Sequence, residues 1–225
     1  MACKYVQLKL GKNLCRQRIA VYNDFEEIKY ETITNLGNII LKISNACGDK
    51  ILINKDISKE EFEEKMKEFK KAFEGNHGLK ESQFFHLYSK KRIIAEKLFY
   101  PRKDMYEFKF FLVNNKIKFL YVKAIVNGRM KNTFYDPNFK LLSKTKNYLN
   151  INKIFNKNIL NELKSCAIKL SEDFPNFIRV DLYLYHNEIY FSELTFASHT
   201  GLPFLRNENF IIDSVRNFTR FDDVY

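Results

Sequence analysis

The stretch Phe177-Ile-Arg-Val-Asp-Leu-Tyr-Leu-Tyr185, followed by His186-Asn187 and then Glu188-Ile-Tyr-Phe-Ser-Glu-Leu-Thr-Phe196, reads as a β-hairpin. Ile178, Val180, Leu182 and Leu184 alternate with Arg179, Asp181, Tyr183 and Tyr185, the period-2 pattern of a strand with one buried face. Arg179 and Asp181 therefore share the other face, and Glu193 and Thr195 share a face of the second arm. Register decides whether the two polar pairs meet. A two-residue turn at His186-Asn187 sets Asp181 opposite Ser192, whereas a three-residue loop or a bulge in one arm sets it opposite Glu193 and puts Arg179 opposite Thr195. Opposed side chains have Cβ atoms about 4.5–5.5 Å apart, and two carboxylates that close repel unless a cation lies between them. Oxygen donors of this kind suit Mg²⁺, and an arginine two residues before the first carboxylate suits phosphate.

Outward from the hairpin, residues 158–172 read as an amphipathic helix with Ile159, Leu163, Cys166, Ala167 and Leu170 inward. Glu107 to Val122 reads as a second hairpin turning at Asn114-Asn115, residues that tolerate the left-handed conformation of such a turn; Glu107 and Lys109 share one strand face. Arg92 to Phe99 reads as a strand. Ser58-Lys-Glu-Glu61 is a capping box opening a helix with Phe62, Met66, Phe69 and Phe73 on one face. Gly37 to Ile43 reads as a buried strand in which Lys42 is costly to bury without an anion. A small-residue loop ending at Gly48 follows, whose backbone N–H groups can cradle phosphate. Residues 209–218 are expected to form a final helix.

At 225 residues with 45% hydrophobic content, the chain is long enough for one sizeable core or two lobes. It contains neither an apolar run of spanning length nor a signal-peptide core, so a cytoplasmic protein is expected. Cys3, Cys15, Cys47 and Cys166 are scattered without a C-x-x-C pair, which argues against a zinc site or a disulfide framework. The formal charge of +11 suits an anionic partner, but the lysines form no block and the charge alone names none.

Arg179-Val-Asp-Leu-Tyr with Ile189-Tyr-Phe-Ser-Glu-Leu-Thr-Phe196 resembles the end of the nucleotide site in the TupA-like branch of the ATP-grasp proteins, a branch associated with teichuronopeptide and surface-polysaccharide synthesis. Glu107-Phe-Lys-Phe-Phe, Thr133-Phe-Tyr-Asp136 and Lys42-Ile-Ser-Asn-Ala-Cys-Gly48 are similar to further segments of that family. The resemblance implies an α+β ATP-grasp fold, two lobes with antiparallel sheets clasping the nucleotide, and a much reduced N-terminal domain. The expected organisation is a short segment over 1–36, a small nucleotide lobe over 37–100 and a C-terminal lobe with the metal site over 101–225.

Carried over by position, Lys4, Lys42 and Gly48 would meet the phosphates. Glu96 would meet the adenine amino group, the backbone around Lys97 and Phe99 the ring edge, and Phe99 would pack on the ring. Glu107 would hold the ribose, Lys109 and Arg179 would serve phosphate transfer, and Asp181, Glu193 and Thr195 would hold Mg²⁺. The family's Asp-Arg pair is replaced by Ala124-Ile125. The implied activity is an ATP-dependent carboxylate–amine ligase working through an acylphosphate, with a carboxylate-bearing sugar or sugar nucleotide and an amine as substrates and no nucleic acid. Rival readings are a kinase or glycosyltransferase-like enzyme of the same pathway, a non-catalytic nucleotide-binding protein, and a basic polyanion-binding module.

Overall fold

The computed structural model describes residues 2–44, 50–75, 90–99, 105–142 and 148–196. The loop through Gly48 and the expected helix over 209–218 lie outside these. The chain divides into two compact units, Met1–Cys15 with Pro101–Tyr225, and Arg16–Tyr100. Residues 1–36 are shared between them: helix α1 (Ala2–Leu10) belongs to the first unit, and strand β1 (Arg18–Tyr22) and the short helix α2 (Tyr30–Thr34) to the second.

The second unit is a four-stranded antiparallel sheet in the order β1-β4-β2-β3, with β2 (Ile39–Ile43), β3 (Lys50–Ile53) and β4 (Ile93–Lys97). Helix α3 (Lys59–Glu74) starts where the Ser58 side chain accepts from the Glu61 N–H at 3.1 Å. Its stripe of Phe62, Met66 and Phe69 is buried with Ile39, Leu41 and Ile43 of β2 and Ile93 and Ala95 of β4. Each such side chain taken from water contributes about 1.5–3 kcal/mol, which outweighs the modest propensity of a Lys- and Glu-rich helix.

The first unit is a five-stranded antiparallel sheet ordered β7-β6-β5-β8-β9, comprising β5 (Met105–Val113), β6 (Lys116–Val126), β7 (Arg129–Tyr135), β8 (Phe177–Tyr185) and β9 (Glu188–Thr195). Three of its connections are two-residue turns at Asn114-Asn115, Asn127-Gly128 and His186-Asn187, all at positive φ. Asn and Gly reach that conformation at little cost, and its twist matches that of the flanking strands. One sheet face is apolar. Phe108, Phe110, Leu112, Ile178, Val180, Leu182 and Leu184 pack there with Leu160, Leu163, Cys166, Ala167 and Leu170 of the amphipathic helix α5 (Lys157–Ser171), and with Val6 of α1. Asn156 caps α5, its side chain accepting from the Ile159 N–H at 3.0 Å. The single turn α4 (Ile151–Ile154) precedes it.

Thr133-Phe-Tyr-Asp136 has an architectural role. The Thr133 hydroxyl accepts from the Leu149 N–H at 2.8 Å, the Tyr135 hydroxyl donates to the Leu149 carbonyl, and Asp136 accepts from the N–H groups of Asn138 and Lys140, each at 2.8 Å. The motif thus ties the end of β7 to the chain entering α4.

Two sequence expectations are corrected. Cys3 and Cys15 form a disulfide, with Cα atoms 5.8 Å apart, where the cysteine spacing argued against one. The spacing is silent because the partners meet only after α1 ends at Gly11, at φ +66°, and the chain doubles back. Residues 129–135 form β7, a strand the sequence reading left out. Among the described residues no helix is long and apolar enough to cross a membrane.

Thr133→Val keeps the side-chain shape but leaves the buried Leu149 N–H without its acceptor. Urea unfolding is expected to show a loss of about 1–3 kcal/mol, whereas Asn132→Ala, at an exposed position of the same strand, is expected to stay within about 0.5 kcal/mol.

Candidate functional site

The face of the five-stranded sheet opposite α5 carries the charged residues. Strand pairing sets Lys109 opposite Asp181, Asp181 opposite Glu193, and Arg179 opposite Thr195. The tight turn pairs Tyr185 with Glu188, so an unbroken ladder would send Glu193 to the apolar side. A bulge intervenes. Leu182 faces Phe191 while the next residue back, Asp181, faces Glu193, so Ser192 is the extra residue that restores Glu193 and Thr195 to the polar face. Of the two registers the sequence allowed, the bulged one is realised.

Asp181 is fully buried and Arg179 is 8% exposed. The Arg179 Nε donates to Asp181 Oδ1 at 2.7 Å and its Nη2 to Oδ2 at 2.9 Å; Nη2 also donates to Glu193 Oε1. The Thr195 hydroxyl donates to the same Glu193 oxygen at 2.8 Å. Lys109 Nζ donates to Asp181 Oδ2 and lies 2.9 Å from Glu107 Oε1. Three carboxylates and two cations thus form one connected chain, and the cation required between Asp181 and Glu193 is the Arg179 guanidinium.

The electrostatics follow from burial and contact. Burial disfavours the Lys109 ammonium, but the Asp181 and Glu107 carboxylates outweigh that and raise its pKa. Burial likewise opposes the Arg179 charge, and the Asp181 hydrogen bonds and charge overcome it. Burial pushes the Asp181 carboxyl up against the pull of Lys109 and Arg179. Glu193, half-exposed at its outer end, is lowered: the burial it does undergo is outweighed by the Thr195 hydroxyl and the charges of Arg179 and Lys109.

On the other unit, Lys42 of β2 finds the anion its strand position demands, its Nζ lying 2.6 Å from Glu96 Oε2 on the adjacent β4. The two residues assigned to phosphate and adenine are thus ion-paired with each other. Lys97 is exposed, and its N–H donates to the Gln17 carbonyl at 2.9 Å; the Leu98 N–H donates to the Asn38 carbonyl at 2.9 Å. Phe99 is buried, with the Arg16 guanidinium 4.6 Å above its ring.

Lys4 is not brought to the charged cluster. It is exposed on α1, which packs against α5 on the apolar side of the sheet. The helical period that turns Val6 inward directs Lys4 elsewhere.

Tyr121, unassigned from sequence, stands opposite Lys109 on β6 and packs on Phe134 at 4.6 Å between ring centroids. Its position two residues from Phe119 and Lys123 in an alternating strand marked the face; only the pairing of β5 with β6 shows that the face is that of Lys109.

The sequence profile of the family described as TupA-like ATPgrasp matches residues 1–210. The chain belongs to this family. D-alanine–D-alanine ligase from Helicobacter pylori superposes with a TM-score of 0.50 at 16% identity, covering 96% of this chain and 55% of that one. VanG D-Ala:D-Ser ligase from Enterococcus faecalis superposes with a TM-score of 0.50 at 15% identity, over 88% of this chain and 52% of that one. The shared property is the ATP-grasp fold, here as two antiparallel sheets with few helices, in the α+β class. The chain spans little more than half the length of either ligase. No curated protein matches the sequence significantly.

Two outcomes test the ion pairing of this cluster. Arg179→Met removes the cation shared by a buried and a half-exposed carboxylate and is expected to cost about 3–5 kcal/mol in urea unfolding, as breaking a buried pair does. The raised Lys109 pKa implies stability fully present below about pH 10.4, the unfolded value, and lost as pH climbs through the folded one. Tyr5 and Tyr190, both pushed up to about 12, add to the same alkaline loss. The expected signature is therefore a shallower alkaline decline in Lys109→Met than in wild type, read from melting temperature against pH.

Proposed function

We propose that this protein binds Mg²⁺-ATP on the charged face of the five-stranded sheet and uses it to join a carboxylate to an amine through an acylphosphate, with the carboxylate borne by a uronic acid or related unit of a bacterial surface polysaccharide. The observation carrying the reading is the convergence of Asp181 and Glu193 from adjacent strands on one positive centre. Among the described residues no three His, Cys, Asp or Glu side chains gather as a self-sufficient metal cage. Two carboxylates fit Mg²⁺ nonetheless, because it takes one or two from the protein and fills its shell with phosphate oxygens and water. The Thr195 hydroxyl beside Glu193 adds a further oxygen.

Asp181, Glu193 and Thr195 would hold the magnesium, which would supply positive charge against that developing on the transferred phosphoryl group. The chain's own residues do the rest. Lys109 and Arg179, cationic and held within one cluster, bind and orient the phosphates, and Glu107 accepts from the ribose hydroxyls. Phosphate oxygens would replace carboxylates as partners of Arg179 and Lys109, freeing Asp181 and Glu193 to hold the metal. No side-chain nucleophile is needed, since catalysis of this kind works by alignment and charge neutralisation. The family name and the ligases sharing the fold support the reaction class, and the family's association with surface polysaccharides supports the sugar acid.

Thermal shift with ATP in the presence and absence of Mg²⁺ tests the binding. Wild type is expected to gain a magnesium-dependent rise in melting temperature, because a ligand that binds only the folded form stabilises it. Asp181→Asn and Glu193→Gln are each expected to abolish that increment; its persistence in either variant refutes the metal assignment. Stoichiometric ADP and phosphate with a new amide supports ligation, whereas a phosphorylated acceptor without amide indicates a kinase.

A further inference from the structure

Residues 137–161 contain five lysines and seven asparagines and neither aspartate nor glutamate, a bias that the charged face of the sheet does not use. The fold turns this segment into a cleft. The tight turn after β7, the short helix α4 and the first two turns of α5 line a cavity of about 330 Å³ on the α5 side of the sheet, across it from Asp181 and Glu193. Asn138, Asn152, Asn161, Lys157 and Lys164 supply its polar lining, over a floor that includes Phe139 and Phe155. The walls are held in place. Asp136 accepts from the N–H groups of Asn138 and Lys140, each at 2.8 Å, and between them Phe139 takes φ +62°, a left-handed conformation that is costly for a bulky residue. The Asn152 Nδ2 donates to the Phe139 carbonyl at 2.8 Å and the Lys164 Nζ to the Pro137 carbonyl at 2.9 Å, which ties the turn to both helices.

We infer that this cleft binds one carboxylate-bearing sugar unit, as a docking subsite apart from the charged face. The inference goes beyond the nucleotide reading and does not depend on it. Charge selects an anion. Two lysines line the cleft and, among the described residues, no acidic side chain does. The acids flanking the segment are committed elsewhere, Asp136 to backbone N–H groups and Glu162 to Lys12 at 2.7 Å. Polarity selects a hydroxylated body: an asparagine amide both donates and accepts, as a sugar hydroxyl does, and Lys164 keeps two N–H donors besides the one on Pro137. Size selects a single unit. At about 30 Å³ per water the cleft has room for about eleven, close to the about thirteen heavy atoms of one hexuronic acid. A nucleic acid fits less well. Phe155 is engaged by Tyr106 at 4.7 Å and Phe108 at 6.0 Å, and Phe139 is buried, so neither ring is a platform on which a base can stack. The lining also lacks the arginine fork that matches phosphate best.

The experiment is a calorimetric titration of the full chain with tri-galacturonate, with maltotriose as the neutral counterpart and inorganic phosphate and single-stranded RNA as rival anions. The variants are Lys157→Gln and Asn161→Asp, at exposed positions of α5, and an unchanged melting temperature confirms that each is folded. Wild type is expected to bind tri-galacturonate at least about tenfold more tightly than maltotriose, and Lys157→Gln to weaken that binding about 3–10-fold, the worth of one charge-assisted hydrogen bond. Asn161→Asp sets a like charge beside the carboxylate and is expected to weaken it by more than about tenfold. Asp181→Asn is expected to bind the trisaccharide as wild type does, and Lys157→Gln to keep whatever response to Mg²⁺-ATP the wild type shows, which separates this cleft from the charged face. Equal affinity for the two trisaccharides overturns the inference, as does binding that both α5 variants leave unchanged, or no binding at millimolar ligand. Loss in Asp181→Asn alone overturns it by moving the saccharide to the charged face. Phosphate or RNA that binds more tightly than tri-galacturonate and is weakened by Lys157→Gln overturns the sugar assignment in favour of that anion.

Discussion

One guanidinium group holds the charged face together. Arg179 donates to both oxygens of the fully buried Asp181 and shares its Nη2 with Glu193 across the strand boundary. Without a cation at that position, two carboxylates opposed in a β-ladder would repel in a setting too dry to screen them. With it, a wholly buried aspartate is tolerated in the middle of a sheet. Everything nearby follows from this constraint: Lys109 completes the shell of Asp181, Glu107 offsets Lys109, and Thr195 takes up the remaining side of the shared Glu193 oxygen.

The sheet divides its labour between two faces, and strand geometry enforces the division. Side chains that alternate along β5 and β8 place Phe108, Phe110, Val180 and Leu182 under α5, leaving Lys109, Arg179 and Asp181 for the other side. The apolar face supplies the driving force for folding; the charged face is affordable because that core is large. Rigid strands also suit a site that must set several charges within a fraction of an ångström. The second unit also sets a helix, α3, against its sheet, and carries the Lys42–Glu96 pair on the adjacent strands β2 and β4. In both units the cations rest on carboxylates.

The elements written in local chemistry were legible. The Ser58 cap, the asparagine turn at 114–115, the strand over 177–185 and the amphipathic run ending near Ser171 are each specified by neighbouring residues alone and found where the residues place them, although Arg179, Asp181 and Tyr183 are buried where the alternation predicted an open face. β7 was missed despite the hairpin signal of Asn127-Gly128, because the alternation of Arg129, Lys131 and Thr133 with Met130, Asn132 and Phe134 is weak in an edge strand that buries little. The opening hid its helix because α1 is short and only Val6 on it is fully buried. The disulfide could not be read at all, since it joins residues brought together by a reversal of the chain.

For the site the division is sharper. By itself the sequence determined which residues carry charge on which face of each strand, because a period of two needs no partner to define it. It also determined that Arg179 and Asp181 must be neighbours, and that Lys42 needs an anion. Whether Glu193 faces Asp181 or the core was a tertiary decision: a tight turn alone predicts the wrong side, and a single extra residue at Ser192 in the ladder with β8 reverses it. Long-range pairing likewise chose Glu96 as the partner of Lys42 and set Lys109 against Asp181, because sequence specifies the face of a strand but only the assembled sheet specifies what stands across from it.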